Sequence, residues 1–241
     1  MFTIKIAELK IGIDNKYAAI ERQCRDYVID CDTPDFCVMA TDEDIEAESA
    51  ISPYSKNPAY SESVCIYRHI CKRLPEYEAF LLHAAVVECD GAAYAFTARS
   101  GTGKSTHVRL WLEKFGDRTR IINGDKPIIR FVNGEARIYG TPWCGKEGYN
   151  INTSAPLRAL CFIERGETNV IRPFTGKDMI GRLMGQVLIP HDIAGVLRLT
   201  ALLDRCVRQI PCYLLACNMD ISAAQVAYDG MVNGGTTNGR S

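Results

Sequence analysis

The stretch Ser100–Thr106, Ser-Gly-Thr-Gly-Lys-Ser-Thr, carries the densest potential chemistry in this chain of 241 residues. Glycines at alternate positions let successive backbone N–H groups turn toward one point, which makes a cradle for phosphate oxygens. Read from Ala98, the stretch fits G-x-x-x-x-G-K-[ST], with alanine where the first glycine usually stands. In that pattern Lys104 reaches the β- and γ-phosphates and the Ser105 hydroxyl serves Mg²⁺, while Ser100, Gly101, Thr102, Gly103 and Thr106 wall the cradle. Ala98 is small, so its substitution matters only if that position needs a positive φ.

A triphosphate travels with Mg²⁺, which takes oxygen ligands. Asp125 follows the apolar pair Ile121–Ile122 in "IINGDKP". An acid leaving a strand beside a phosphate loop suits a metal ligand, direct or through water. The same residues are also turn chemistry. Asn123 can hydrogen-bond beside it, and Lys126 lies either near the phosphates or in solvent. His83 closes "AFLLH"; taken alone, it suits a satisfied core position as well as a site. The stretch "YGTPWCGKEGYN" from Tyr139 is a Gly- and Pro-containing loop, yet it carries Trp143, Lys146, Glu147 and Tyr149, and such loops often bind ligands. Folded over a nucleotide, Lys146 would steady transferred charge and Glu147 would take a proton from a hydroxyl. In the alternative, Trp143 anchors the loop in the core and both charges stay solvated. Cys144 has no histidine near it in sequence and reads as a structural thiol. Arg99 faces either an acceptor or solvent.

The elements around these residues follow from periodicity. "AYAFTA" reads as a strand leading into the loop. "STHVRLWLEKF" reads as a helix with Val108, Trp111, Leu112 and Phe115 on one side and Gly116 at its end. Asp90-Gly91 and Asn133-Gly134 predict hairpins. "FTIKIAELKIGID" alternates as strands do, Tyr17, Ile20, Cys24 and Tyr27 fall at helical spacing, and "DFCVMAT" is a short strand. "DEDIEAES" reads as a solvated acidic loop, and residues 61–74 as a helix stopped by Pro75. Beyond the strand "LRALCFIERG" come two helices, one carrying Met179, Ile180, Leu183, Met184 and Val187, the other Ile193, Val196, Leu197, Leu203 and Val207. The strand "CYLLACN" and a last helix, opened by a Ser222/Gln225 capping box, complete the pattern. Hairpins around a single strand–loop–helix unit predict a mixed sheet rather than a regularly alternating parallel one.

The formal net charge of −1 implies no general attraction to nucleic acid or an acidic membrane surface, and no apolar run is long enough to span a bilayer. The eleven cysteines include no C-x-x-C pair, and the charged, alternating N-terminus is no signal peptide. Reduced thiols and a cytoplasmic protein are expected.

The segments "LLHAAVV", "FTARSGTGKST" and "INGDKP", in that order and spacing, resemble the HPr kinase/phosphoenolpyruvate carboxykinase superfamily. "YGTPWCGKEGYN" and "IPCYLLACN" look like a group of short HPr kinase-like proteins. The resemblance covers residues 79–231. It implies an α/β (mixed α+β) fold, in which a mixed β-sheet P-loop kinase core at 79–231 follows a small N-terminal α+β unit at 1–78. A tail at 232–241, poor in apolar residues, is expected to be disordered. It also implies ATP and Mg²⁺, with Lys104, Asp125 and His83 in the chemistry beside Lys146 and Glu147, and Ser105 and Asp125 toward the metal. The terminal phosphate would pass to a hydroxyl of a small molecule, a peptide or a protein serine, and a homo-oligomer is in keeping with the family. Asp125 matches the second acid of the family's Asp-Asp pair; the first, a candidate base, is Gly124 here. A non-catalytic nucleotide-binding regulator, and more remotely a carboxykinase-like enzyme, are the alternatives.

Overall fold

In the computed structural model, which describes residues 1–51, 57–234 and 237–238, the chain opens with a hairpin whose turn lacks glycine. Strands β1 (Phe2–Ile6) and β2 (Leu9–Asp14) pair antiparallel across Ala7 and Glu8, both at positive φ. Helix α1 (Ala18–Gln23) and a 3₁₀ turn at Arg25–Tyr27 lead to β3 (Val28–Ile29), and β4 (Phe36–Met39) adds parallel to β2. The result is a four-stranded sheet in the order β3-β1-β2-β4.

The acidic segment expected to be a loop is instead helix α2 (Asp42–Ile51). Thr41 Oγ1 accepts from Asp44 N at 3.1 Å, and Asp44 Oδ2 accepts from Thr41 N at 3.0 Å. This reciprocal cap, with acids in the first turn against the helix dipole, outweighs the segment's polarity. Helix α3 (Pro58–Arg73) follows, capped by Asn57, and Pro75 sits in the 3₁₀ turn Leu74–Tyr77 that ends it.

The remaining strands form one ten-stranded sheet. They are β5 (Ala79–Leu81), β6 (Ala85–Cys89), β7 (Ala92–Thr97), β8 (Thr119–Asn123), β9 (Ile128–Val132) and β10 (Glu135–Tyr139), then β11 (Ser154–Arg165), β12 (Val170–Pro173), β13 (Cys212–Cys217) and β14 (Thr237–Asn238). The long β11 organises the sheet. Its start pairs antiparallel with β10, and its later residues pair parallel with both β7 and β13. β6 and β8 continue antiparallel beyond β7, and β12 and β14 beyond β13. The fold is therefore mixed α+β with a mixed sheet.

Helices cover both faces. α4 (Lys104–Phe115) and α7 (Ser222–Asn233) bury Val108, Trp111, Ala224 and Met231 on one face. α5 (Lys177–Met184) and α6 (Ile193–Gln209) bury Leu183, Leu199, Leu203 and Cys206 on the other. Ile193 and Leu197 turn outward, 81% and 66% exposed, because Leu199, Leu202, Leu203 and Cys206 define the buried stripe of α6. The Ser222/Gln225 capping box does not form. Asp220 Oδ1 accepts from Ser222 N at 2.8 Å, and Gln225 instead donates to Asp229. Of the expected tail, 232–233 belong to α7 and 237–238 to β14; residues 235–236 and 239–241 lie outside the described residues.

The small sheet does not stand apart. Its core residues Ile4 and Ile11, with Ile66 and Ile70 of α3, are continuous with Ile128, Tyr139 and Trp143 of the second unit. The first third of the chain therefore packs under the loop that carries Lys146 and Glu147.

Candidate functional site

β7 delivers the chain to the phosphate loop and α4 takes it away. Gly101 and Gly103 adopt φ of 77° and 124°, where a side chain would be strained. Ala98 is absent from the positive-φ positions, so alanine there fits without strain. The Lys104 side chain is largely buried and its ammonium donates to Ala98 O at 3.1 Å. Burial pushes its pKa down, and the nearby charge of Asp125 opposes that shift. The N-terminus of α4 opens at Lys104, so the partial positive charge of the helix dipole and its unsatisfied N–H groups lie at this loop.

Asp125 leaves β8 through a turn organised by Asn123, which is fully buried. Asn123 Oδ1 accepts from Asp125 N at 2.9 Å and Lys126 N at 2.8 Å, while its Nδ2 donates to Thr141 O at 3.0 Å. Thr141 Oγ1 and Tyr67 OH both donate to Lys126 O, at 2.8 and 2.7 Å. His83 Nε2 lies 3.1 Å from Asp125 Oδ1, and Ala84 N donates to Asp125 O at 3.0 Å. Burial pushes the Asp125 carboxyl up. The hydrogen bond from His83 and the charges of Lys126, His83 and Lys104 more than offset that and hold it below the usual carboxylate value.

The other nitrogen of His83, Nδ1, is 3.1 Å from Gln186 Oε1. Gln186 is pinned through its backbone, accepting from His83 N at 2.7 Å and donating to Leu183 O at 2.9 Å. A glutamine amide can accept from an imidazolium or donate to a neutral ring, so Gln186 serves either protonation state while Nε2 stays directed at Asp125. Nothing in the sequence marked Gln186, Thr141 or Tyr67, because their roles arise from contacts across the fold.

The loop after β10 lies directly against this turn. Gly124 N donates to Tyr149 O at 2.8 Å, and a Cβ at Gly124 would meet Cys144 O at 2.9 Å. At Gly145 a Cβ would sit 3.1 Å from Asp125 Cβ. The tight packing explains why position 124 carries no side chain. Trp143 fixes the loop from beneath, stacked on Tyr67 at 4.1 Å between ring centroids and donating from Nε1 to Ser63 O at 3.1 Å. The anchoring role of Trp143 leaves the charged part of the loop at the surface. Trp143 is buried, and Lys146 and Glu147 are exposed at the rim of a cleft. That cleft, about 490 Å³, brings together His83, Lys104, Ser105, Asp125, Lys146 and Glu147. Burial raises the pKa of Cys144, which keeps it a thiol. Arg99 lines a different cleft.

Mg²⁺ favours carboxylate and hydroxyl oxygens and keeps several waters. Asp125 and Ser105 supply those donors on one cleft. Among the described residues no group of three or more His, Cys, Asp or Glu converges on one point. Two oxygen donors on one cleft fit the ligand chemistry of Mg²⁺, an ion that keeps several waters.

No family model and no curated protein matches the chain. Among solved structures, it is similar to the HPr(Ser) kinase/phosphatase from Coxiella burnetii, with a TM-score of 0.40 and 9% identity over 64% of this chain and 92% of that one. The likeness is distant. No helix of the described residues is long and apolar enough to cross a membrane.

Proposed function

We propose that the chain is a phosphotransferase that uses ATP with Mg²⁺ and passes the terminal phosphate to a hydroxyl. The observation that carries this reading is the convergence of the phosphate loop, with Gly101 and Gly103 at positive φ, and the His83–Asp125 pair on a single cleft. The acceptor oxygen forms a bond to the γ-phosphorus as the bond from that phosphorus to the β–γ bridging oxygen breaks. ADP leaves with the electron pair, and the hydroxyl proton passes to a carboxylate.

Each group has a part that its setting supports. Backbone N–H groups at 101–104 and the Lys104 ammonium hold the β- and γ-phosphates. Asp125 stays ionised and, with Ser105, presents oxygens to the metal, which neutralises phosphate charge when bound. His83 orients that carboxylate. Asp125 is engaged by His83, whereas Glu147 makes no ion pair among the described residues; Glu147 is therefore assigned the hydroxyl proton. Lys146 lies beside it for the transferred charge. Phosphoryl transfer depends chiefly on placement and charge, so an exposed carboxylate suffices as base.

Gly124 favours a second reading, a protein that binds nucleotide without turnover, since no side chain fits where a further acid would stand. One experiment separates the two. Purified protein is incubated with γ-labelled ATP, Mg²⁺ and a small-molecule and peptide extract, with Lys104→Ala as control. Transfer of label by the wild type alone supports the phosphotransferase. ATP binding with no labelled product above the control supports the second reading, and absence of ATP binding removes both.

A further inference from the structure

The phosphate loop borders more than one cleft. Ser100 and Gly101 also line a larger one of about 1170 Å³, between the end of β11 and helix α5. Its wall carries four cations, Arg99, Arg165, Lys177 and Arg182, against two acids, Glu164 and Asp178, an excess of two positive charges. Arg182 is paired with Glu164 at 2.6 Å. Arg165 donates to Gly101 O at 2.9 Å, which ties it to the phosphate loop. Among the described residues Arg99, Arg165 and Lys177 make no ion pair. Cations left without counter-charges on a concave wall concentrate positive potential there, and guanidinium groups match carboxylate and phosphate oxygens in shape.

The cleft also reaches Gln186, whose amide holds His83 and through it Asp125. It therefore runs from the loop that would hold the transferable phosphate to the back of the pair beside it. The nucleotide has other space. A separate cleft of about 490 Å³ beside Thr106 is lined by Leu110, Ile163, Cys217 and Met219, a surface suited to a nucleobase rather than to an anion.

We infer that the basic cleft is the acceptor site, and that it selects a small hydroxy compound bearing its own carboxylate or phosphate. This rests on the phosphotransferase reading. The anionic group sits against Arg99 and Lys177, and the hydroxyl points past Ser100 to the γ-phosphorus. A neutral alcohol lacks the group that fixes it there.

The test is calorimetric titration of the protein with inorganic phosphate and, separately, with malate. Each is done with and without a non-hydrolysable ATP analogue and Mg²⁺. At least one anion is expected to bind the analogue-loaded protein. In the Arg99→Ala/Lys177→Ala double variant that affinity should fall about tenfold or more. Both side chains are exposed, and an unchanged melting temperature shows that the variant folds. Arg208→Ala, a cation remote from the cleft on α6, should change it less than about twofold. Phosphate binding alone assigns a phosphorylated acceptor, and malate binding alone a carboxylate one. Three results overturn the inference: no heat with either anion, binding that survives in the double variant, or binding that vanishes when the analogue fills the phosphate loop. Analogue binding without an anion site removes only this inference. An anion site with no analogue binding removes the phosphotransferase reading.

Discussion

The two halves of the candidate site are built differently. The glycine-rich loop is held mainly by its own neighbours in sequence: Thr102 N donates to Arg99 O, His107 N to Gly103 O, and Lys104 to Ala98 O, with Arg165 adding a long-range bond to Gly101 O. The Asp125 turn, shaped locally by Asn123, is fixed in place by residues far along the chain, with His83, Thr141 and Tyr67 all bonded to it or its neighbours. A local cradle depends on backbone geometry, which glycine supplies. A carboxylate that must stay ionised while half-buried depends on charges and donors that only the fold can assemble.

The largest expected effect falls on the local half. Lys104→Ala should lower phosphate transfer about a thousandfold or more, because in the proposed reaction it removes the largely buried ammonium that would stabilise developing negative charge. Single-turnover rates with labelled ATP would measure it. A rate within a few-fold of wild type would mean that the cradle is only a glycine-rich turn. Next comes Asp125→Asn, expected to lower turnover about a hundredfold while weakening ATP binding much less, since the amide keeps the shape but loses the charge that draws the metal. The comparison is sharpened by measuring both variants with and without Mg²⁺. A loss at Asp125 that is the same in either condition would leave the carboxylate a purely structural role.

The same difference governs what could be read from sequence. The turn of the glycine-rich loop was legible because its conformation resides in consecutive residues, with Gly101 and Gly103 at positive φ. Asp125 stood out as an acid at a strand exit and His83 only through the family resemblance; that their side chains lie 3.1 Å apart could not be read from either. Gln186 was not legible, because the apolar spacing that reads as a helix through Val187 gives its polar position no mark; α5 ends at Met184, and Gln186 meets His83 from beyond it. The acidic stretch at Asp42 was misread as a loop, since its helix depends on the Thr41–Asp44 cap and on Glu48 pairing with Arg68 of α3 at 2.7 Å. The first hairpin was visible in its alternation, although its Ala7-Glu8 turn carries none of the usual turn residues.

One residue of the local half carries a cost of its own. His107, on α4 just past the loop, accepts from Trp111 Nε1 at 3.1 Å through Nε2, so the neutral ring carries its proton on Nδ1. That nitrogen is buried and unpartnered among the described residues. Burial pushes the His107 pKa from 6.5 down to about 3. Between those values the unfolded chain binds a proton that the folded one excludes. Stability is therefore full above about pH 6.5 and falls as the pH drops toward 3. From about pH 7.5 to about pH 5 this should remove about 2 kcal/mol. Denaturation of His107→Gln, which keeps an acceptor for Trp111 but does not titrate, should show a loss smaller by that amount. Equal losses in the two proteins would place the acid sensitivity elsewhere.

The smallest effect tests the long-range half alone. Trp143→Phe keeps an aromatic face against Tyr67 but removes the indole donor to Ser63, a bond that joins residues 80 positions apart. Loss of that bond should cost about 1 kcal/mol of stability. Because Cys144 and Gly145 press on Gly124 and Asp125, loosening the anchor should also shift the rim that carries Lys146 and Glu147. Turnover should then fall by less than about tenfold, with ATP affinity nearly constant, since the cradle does not touch the indole. Stopped-flow transfer rates beside equilibrium ATP binding would read the two apart. A parallel fall in both would show that the two halves are mechanically one, and the distinction between a local cradle and a fold-assembled carboxylate would fail at its joint.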